Sequence, residues 1–129
     1  MSMDLSSLNQ SLNVLSNKIK TYLDNTPNIE FAPYEKQMDT IFISNKYDEI
    51  VETYSYLLNL ITEVQFFISQ CKKVIKLIAG NTSLEQSQKA KIKTAIDLIE
   101  IQAEPLYNEK ERLKTIEMFY RNIYTKKDF

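Results

Sequence analysis

"YDEIVETYSYLLNLITEVQFFISQCKKVIKLIAG", residues 47–80, decides the fold. Tyr47, Ile50, Tyr54, Leu57, Ile61, Val64, Ile68, Cys71, Ile75 and Ile78 recur at alternating spacings of three and four without one miss. That is the a/d stripe of a heptad-patterned helix, and it predicts a helix over 46–79. Gly80 follows where helices commonly close on a left-handed residue. The stretch is not a membrane span. Glu63 interrupts it, Lys72, Lys73 and Lys76 crowd its end, and no run of about eighteen uncharged apolar residues occurs in the chain.

The apolar surface of this helix runs past the stripe. Val51, Leu58, Leu60, Phe67 and Val74 flank it, and Tyr56, Phe66 and Leu77 reach further round. A two-helix seam needs only the a and d positions, so this helix calls for at least two neighbours. Each large apolar side chain left in water forgoes about 1.5–3 kcal/mol. Phe66 stands opposite the seam, is the hardest to cover from within the chain, and marks an expected interface between chains.

On the N-terminal side, Leu5, Leu8, Leu12, Leu15, Ile19 and Tyr22 form a second heptad stripe, predicting a helix over 4–24. Asp4 suits its dipole, and Asn25, Thr26 and Pro27 end it. Its Ser and Asn residues are mediocre helix formers, so its stripe needs cover. "NTPNIEFAP" (25–33) reads as a linker. Pro33 then opens a short helix over 33–44, with Tyr34, Met38, Ile41 and Phe42 on one face. Ser44 and Asn45 read as a break, with Asn45 as N-cap of the long helix.

Beyond Gly80, Thr82 with Glu85, or Ser83 with Gln86, makes a capping box that opens a helix over 83–126. Its apolar face comprises Ile92, Ala95, Ile96, Ile99, Ala103, Leu106, Leu113, Ile116, Tyr120, Ile123 and Tyr124. Pro105 removes one backbone hydrogen bond from its middle, predicting a kink or a restart. The expectation is an all-α helical bundle of about four helices in one domain, 1–129. It is built on a long antiparallel, coiled-coil-like hairpin with its apex near Asn81. In that hairpin Asp48, Glu49 and Glu52 face Lys110, Arg112, Lys114 and Arg121, in exposed pairs worth a few tenths of a kcal/mol that select register.

Composition agrees. The 129 residues suit one compact domain, and one Gly with three Pro is too few for sheets joined by tight turns. Hydrophobic residues at 43% and charged residues at 26% exclude a disordered chain. The first fifteen residues lack the basic start and apolar core of a signal peptide. The single Cys71 excludes an internal disulfide, so a cytoplasmic location is expected. Abundant Ile, Lys, Asn and Tyr beside scarce Ala and Gly fits an AT-rich genome, that of a phage, a low-GC bacterium or a protist, and a phage or viral protein is expected in its host's cytoplasm.

Much chemistry is excluded at once. There is no His, so no imidazole base, no Cys-His or Ser-His nucleophile pair and no His metal ligand. One Gly cannot build a phosphate loop, and one Cys without His cannot build a zinc site. No enzyme, cofactor or metal is expected. Cys71 sits at a d position and reads as a small buried hydrophobe rather than a reactive thiol.

Charge is uneven although the net is −1. Residues 1–66 carry four basic and nine acidic groups, and residues 67–129 carry twelve and eight. Lys72, Lys73, Lys76, Lys89, Lys91 and Lys93 gather within a few turns of the apex, a candidate anion or nucleic-acid contact. "MFYRNIYTKKDF" (118–129) interleaves aromatics with Arg121, Lys126 and Lys127, as single-strand binders do, although the aromatic spacing also continues the apolar helix face. The candidate protein interface is Tyr56, Phe66 and Leu77 with Leu5, Leu8, Leu12 and Leu15. Together these lead to a non-enzymatic protein-interaction or oligomerisation protein: an adaptor, scaffold or small inhibitor, with a protein partner or a second copy of itself and no membrane. The alternative is a nucleic-acid accessory protein using the lysine apex and the aromatic-basic C-terminus, against which the sequence pI of about 5.5 counts.

Overall fold

The computed structural model describes residues 5–26 and 28–126. It holds three α-helices, α1 (Leu5–Asn25), α2 (Thr40–Leu77) and α3 (Ser83–Lys126), with a 3-10 helix at Tyr34–Lys36 before α2. No strand occurs among the described residues. At 1.5 Å per residue, α2 and α3 are rods of about 57 and 66 Å, and α1 spans about 32 Å.

The heptad stripe of α2 and the apolar face of α3 form the central seam. Ile43, Ile50, Leu57, Ile61, Val64 and Cys71 of α2 are buried, as are Ile92, Ile99, Ala103, Leu106, Leu113, Ile116 and Tyr120 of α3. α1 lays Leu8, Leu15, Ile19 and Tyr22 onto this pair. It runs antiparallel to α2 and alongside α3. Its N-terminal half lines grooves shared with Phe66 and Gln70 on one side and with Ile92 and Ala95 on the other. Its last turn reaches Glu52 and Asn108. Leu60 and Phe67 of α2, one heptad apart, are buried on the side that meets α1. The wide apolar surface of α2 therefore has two neighbours, as its pattern requires.

The helix count falls from the expected four to three because the chain does not break at Ser44 and Asn45. α2 runs through both, and its stripe extends back to the fully buried Ile43. Counting from Tyr47 as a, the two polar residues fall at the outward e and f positions, where they cost only helix propensity. The cap is Asp39, whose Oδ1 accepts the Phe42 N–H at 3.0 Å. The expected helix over 33–44 shrinks to the single turn at Tyr34–Lys36, and Tyr34, Met38 and Ile41 are exposed rather than packed together. At Pro105 α3 continues without a restart. The proline is exposed, and buried Ala103 and Leu106 on either side anchor the helix there.

The turn between the long helices is built by Thr82 and Glu85. The Glu85 N–H donates to Thr82 Oγ1 at 3.1 Å, and Glu85 Oε1 accepts the N–H groups of Asn81 and Thr82, both at 3.1 Å. This reciprocal pair satisfies donors that the start of α3 would leave orphaned. Gly80 has φ +81, but it does not close the helix directly. α2 ends at Leu77, Ile78 is extended, and the left-handed residue falls inside the turn.

The segment expected as a bare linker is part of the core. Ile29 and Ala32 are buried. Arg112 Nη1 donates to the Ile29 carbonyl at 2.7 Å, and the Tyr120 hydroxyl donates to the Glu30 carbonyl at 2.9 Å. Phe31 meets Phe119 edge to face at 5.1 Å. An extended strip thus caps the half of the hairpin beyond the reach of α1, with its Ile29 and Glu30 carbonyls tied down by α3.

The expected ion pairs across the seam do not form. Among the described residues no ion pair joins α2 to α3. Arg112 turns to Glu109 and Arg121 to Glu117, each within α3, and Lys46 pairs with Glu49 within α2. Lys18 and Glu63, at 2.9 Å, link α1 to α2 instead. The cap assignment has a direct check. Asp39→Ala is expected to lower stability by about 1 kcal/mol in chemical denaturation followed by circular dichroism, as loss of an N-cap does. Asn45→Ala, inside the helix, is expected to leave stability unchanged or raise it slightly.

Candidate protein-interaction surface

Three helices on one seam leave the far side of α2 without a neighbour among the described residues. Phe66 is 63% exposed there, with Leu58 and Val51 on the same outer surface. Phe66 also forms one wall of a groove of about 590 Å³ between α1 and α2. Val14, Leu15 and Phe67 contribute apolar surface to it, and Ser11, Gln10, Thr62 and Gln70 form its polar edges. The Lys18–Glu63 bridge crosses it on the side away from the apex.

The expected interface residues divide. Tyr56 is half exposed and stacks on Tyr22 with ring centroids 5.8 Å apart, so one of its faces is already covered. Leu77, the last residue of α2, is exposed. Leu8 and Leu15 are corrected: both lie in the core, where α2 and α3 provide the cover their stripe needs. Leu12 is partly buried against the same core, and Leu5 opens α1.

At the apex Lys72, Lys73, Lys76, Lys91 and Lys93 are exposed, and none of them is in an ion pair among the described residues. Lys89 differs. It folds back across Gly80, whose missing side chain leaves room: a Cβ there would sit 3.2 Å from Lys89 Nζ. In this position its charge lies by the end of α2, where the carbonyl dipoles favour a cation. The C-terminal stretch loses its stacking platform. Tyr120 is buried, Phe119 packs between Phe31 and Tyr120, and Tyr124 stacks on Tyr47 at 5.3 Å. Arg121 is held by Glu117, Lys126 closes α3, and Lys127 lies outside the described residues.

One exposed apolar cluster was assigned wrongly by the sequence. Tyr34, Met38 and Ile41 sit at the end of the molecule opposite the apex. Their helical spacing resembles a core face, but the helix shrinks to the turn at Tyr34–Lys36 and all three stay exposed. Among the described residues no cluster of Cys, Asp and Glu is placed to hold a metal ion, and no helix is long and apolar enough to cross a membrane. Comparison with family models, curated proteins and solved structures finds no match to this chain.

Cys71 is fully buried in the seam, and burial pushes its thiol up to about 11 from 9.0. The neutral thiol is therefore the form held at neutral pH, and Lys72 and Lys73 point away from it into solvent. A thiol reagent is expected to label native protein only as fast as it unfolds, and denatured protein at once. The sign for stability follows. A raised acid favours folding below its unfolded value, so the denaturation midpoint should hold up to pH 9.0 and fall as pH rises towards 11. Tyr22 and Tyr120, also raised by burial, add to the alkaline loss.

Proposed function

We propose that the protein works by association, as a non-enzymatic helical adaptor, scaffold or small inhibitor whose partner is a protein or a second copy of itself. The observation that carries this reading is Phe66. A large aromatic side chain left 63% exposed beside an apolar groove, on the side of α2 opposite the seam, forgoes about 1–2 kcal/mol unless another surface covers it. The residue inventory has no imidazole, no Cys-His or Ser-His pair and no glycine-rich phosphate loop to set against it. The reading suits a phage- or virus-encoded accessory protein in a host cytoplasm, where small helical proteins act by occupying surfaces. The nucleic-acid alternative keeps its apical lysines, but Phe119, Tyr120 and Tyr124, the aromatics it would stack bases on, pack against the chain instead.

Light scattering across a concentration series tests the self-association form. The mass is expected to rise above the 15.1 kDa of one chain, and Phe66→Ser is expected to return it towards that value without loss of helicity. A strict monomer at high micromolar concentration, unaltered by Phe66→Ser, overturns that form.

A further inference from the structure

α3 covers the a and d side of α2, and α1 covers the adjoining g side where Leu60 and Phe67 are buried. Positions e, b and f are left facing outward, and every residue at them from Asp48 to Lys76 is exposed. This strip has an internal order. Asp48 and Glu52 occupy one end, and Lys72, Lys73 and Lys76 the other. Small hydroxyl residues, Ser55, Thr62 and Ser69, mark its midline at seven-residue intervals. Leu58 and Phe66 stand four residues to either side of Thr62.

Resting on the association reading above, we propose that this outer face of α2 is a self-complementary surface on which two copies of the chain pair antiparallel, the two-fold axis passing through Thr62. The axis reverses the direction along the helix but keeps each side of the strip on its own side, so f residues of one copy face f residues of the other and e residues face e residues. Phe66 then lies level with Leu58 of the second copy, across the strip from it, and Glu52 meets its Lys73. On the midline Asp48 meets Lys76, Ser55 meets Ser69, and Thr62 meets itself. The apolar pair lies beside the axis with small residues that let the helices approach, and opposite charges close both ends. A parallel pair would instead set each charged end against its own kind.

Helix dipoles favour the lysine end, where Lys76 lies in the last turn of α2, but they do not account for the acidic end. Their influence fades within the first turn, and Asp48 and Glu52 lie more than two turns in from Thr40. None of the five end charges is in an ion pair among the described residues. The face is about 42 Å long at 1.5 Å per residue and one helix wide. An antiparallel pair buries on the order of 1,000 Å² in total, at the low end for specific interfaces, so the dimer forms in the micromolar range and weakens with salt.

Cysteine cross-linking reads the register. Under mild oxidation Thr62→Cys is expected to give a covalent dimer of two 15.1 kDa chains, while buried Cys71 stays silent. Ser55→Cys and Ser69→Cys should each fail to cross-link alone, being about 21 Å from their own copies along the helix, yet should cross-link when mixed. The charge variants Asp48→Lys/Glu52→Lys and Lys72→Glu/Lys73→Glu/Lys76→Glu should each be monomeric, and mixing them should restore a heterodimer. Circular dichroism checks that each variant keeps its helices. A dimer by light scattering that gives no Thr62→Cys cross-link overturns this face and leaves the association reading standing. A monomer at high micromolar concentration overturns both the face and self-association.

Discussion

The constraint on which the structure depends is the width of the apolar surface on α2. Its a/d stripe, from Ile43 to Cys71, is matched by α3, but Leu60 and Phe67 stand outside that seam. A helical hairpin alone would leave both in water. α1 supplies the missing neighbour, and its own marginal composition makes the dependence mutual: a helix rich in Ser and Asn is held by the groove it fills rather than by its propensity.

Length then sets the second requirement. α1 is little more than half as long as α2, so it covers only the half of the hairpin nearer the apex. The remaining half is closed by residues 28–33, which have no regular structure of their own. Backbone without helix or sheet partners is costly over an apolar surface. Arg112 and Tyr120 answer that cost by donating to the Ile29 and Glu30 carbonyls. Two polar side chains on the otherwise apolar approach of α3 are thus what allows a short irregular strip to serve as core.

The seam was legible because strict 3-4 alternation leaves little freedom in how two long helices meet, and the Thr82–Glu85 box because its spacing has one geometric meaning. Ser44 and Asn45 misled because residue type was weighed without its place on the helix. Polar residues at outward positions do not end a helix whose inward positions, here Ile43 and Tyr47, continue the stripe. Ile29 and Ala32 could not be found by periodicity, since an extended strip of six residues has too few turns to show any. The seam ion pairs failed for a further reason. An acid near a base in the next helix competes with a base one turn away in its own, and Arg112 and Arg121 take the local partner. At the surface, the exposure of Phe66 followed from its place opposite the seam, whereas the burial of Leu8 and Leu15 required knowing that α1 docks on its own chain.

The clamp on residues 28–33 also bears on the order in which the molecule comes apart. Its hydrogen bonds join residues 83 and 90 positions apart, whereas the hairpin closes across a turn of a few residues. Local closure costs less chain entropy, so the hairpin can form before the clamp and outlast it. α1 and the strip behind it form a natural unit of partial unfolding, released together while α2 and α3 stay zipped. In that opened form Leu60 and Phe67 join Phe66 at the surface. The amount of apolar helix that α2 displays is then governed by the docking equilibrium of α1, and a partner that bound the wider surface would draw that equilibrium towards itself.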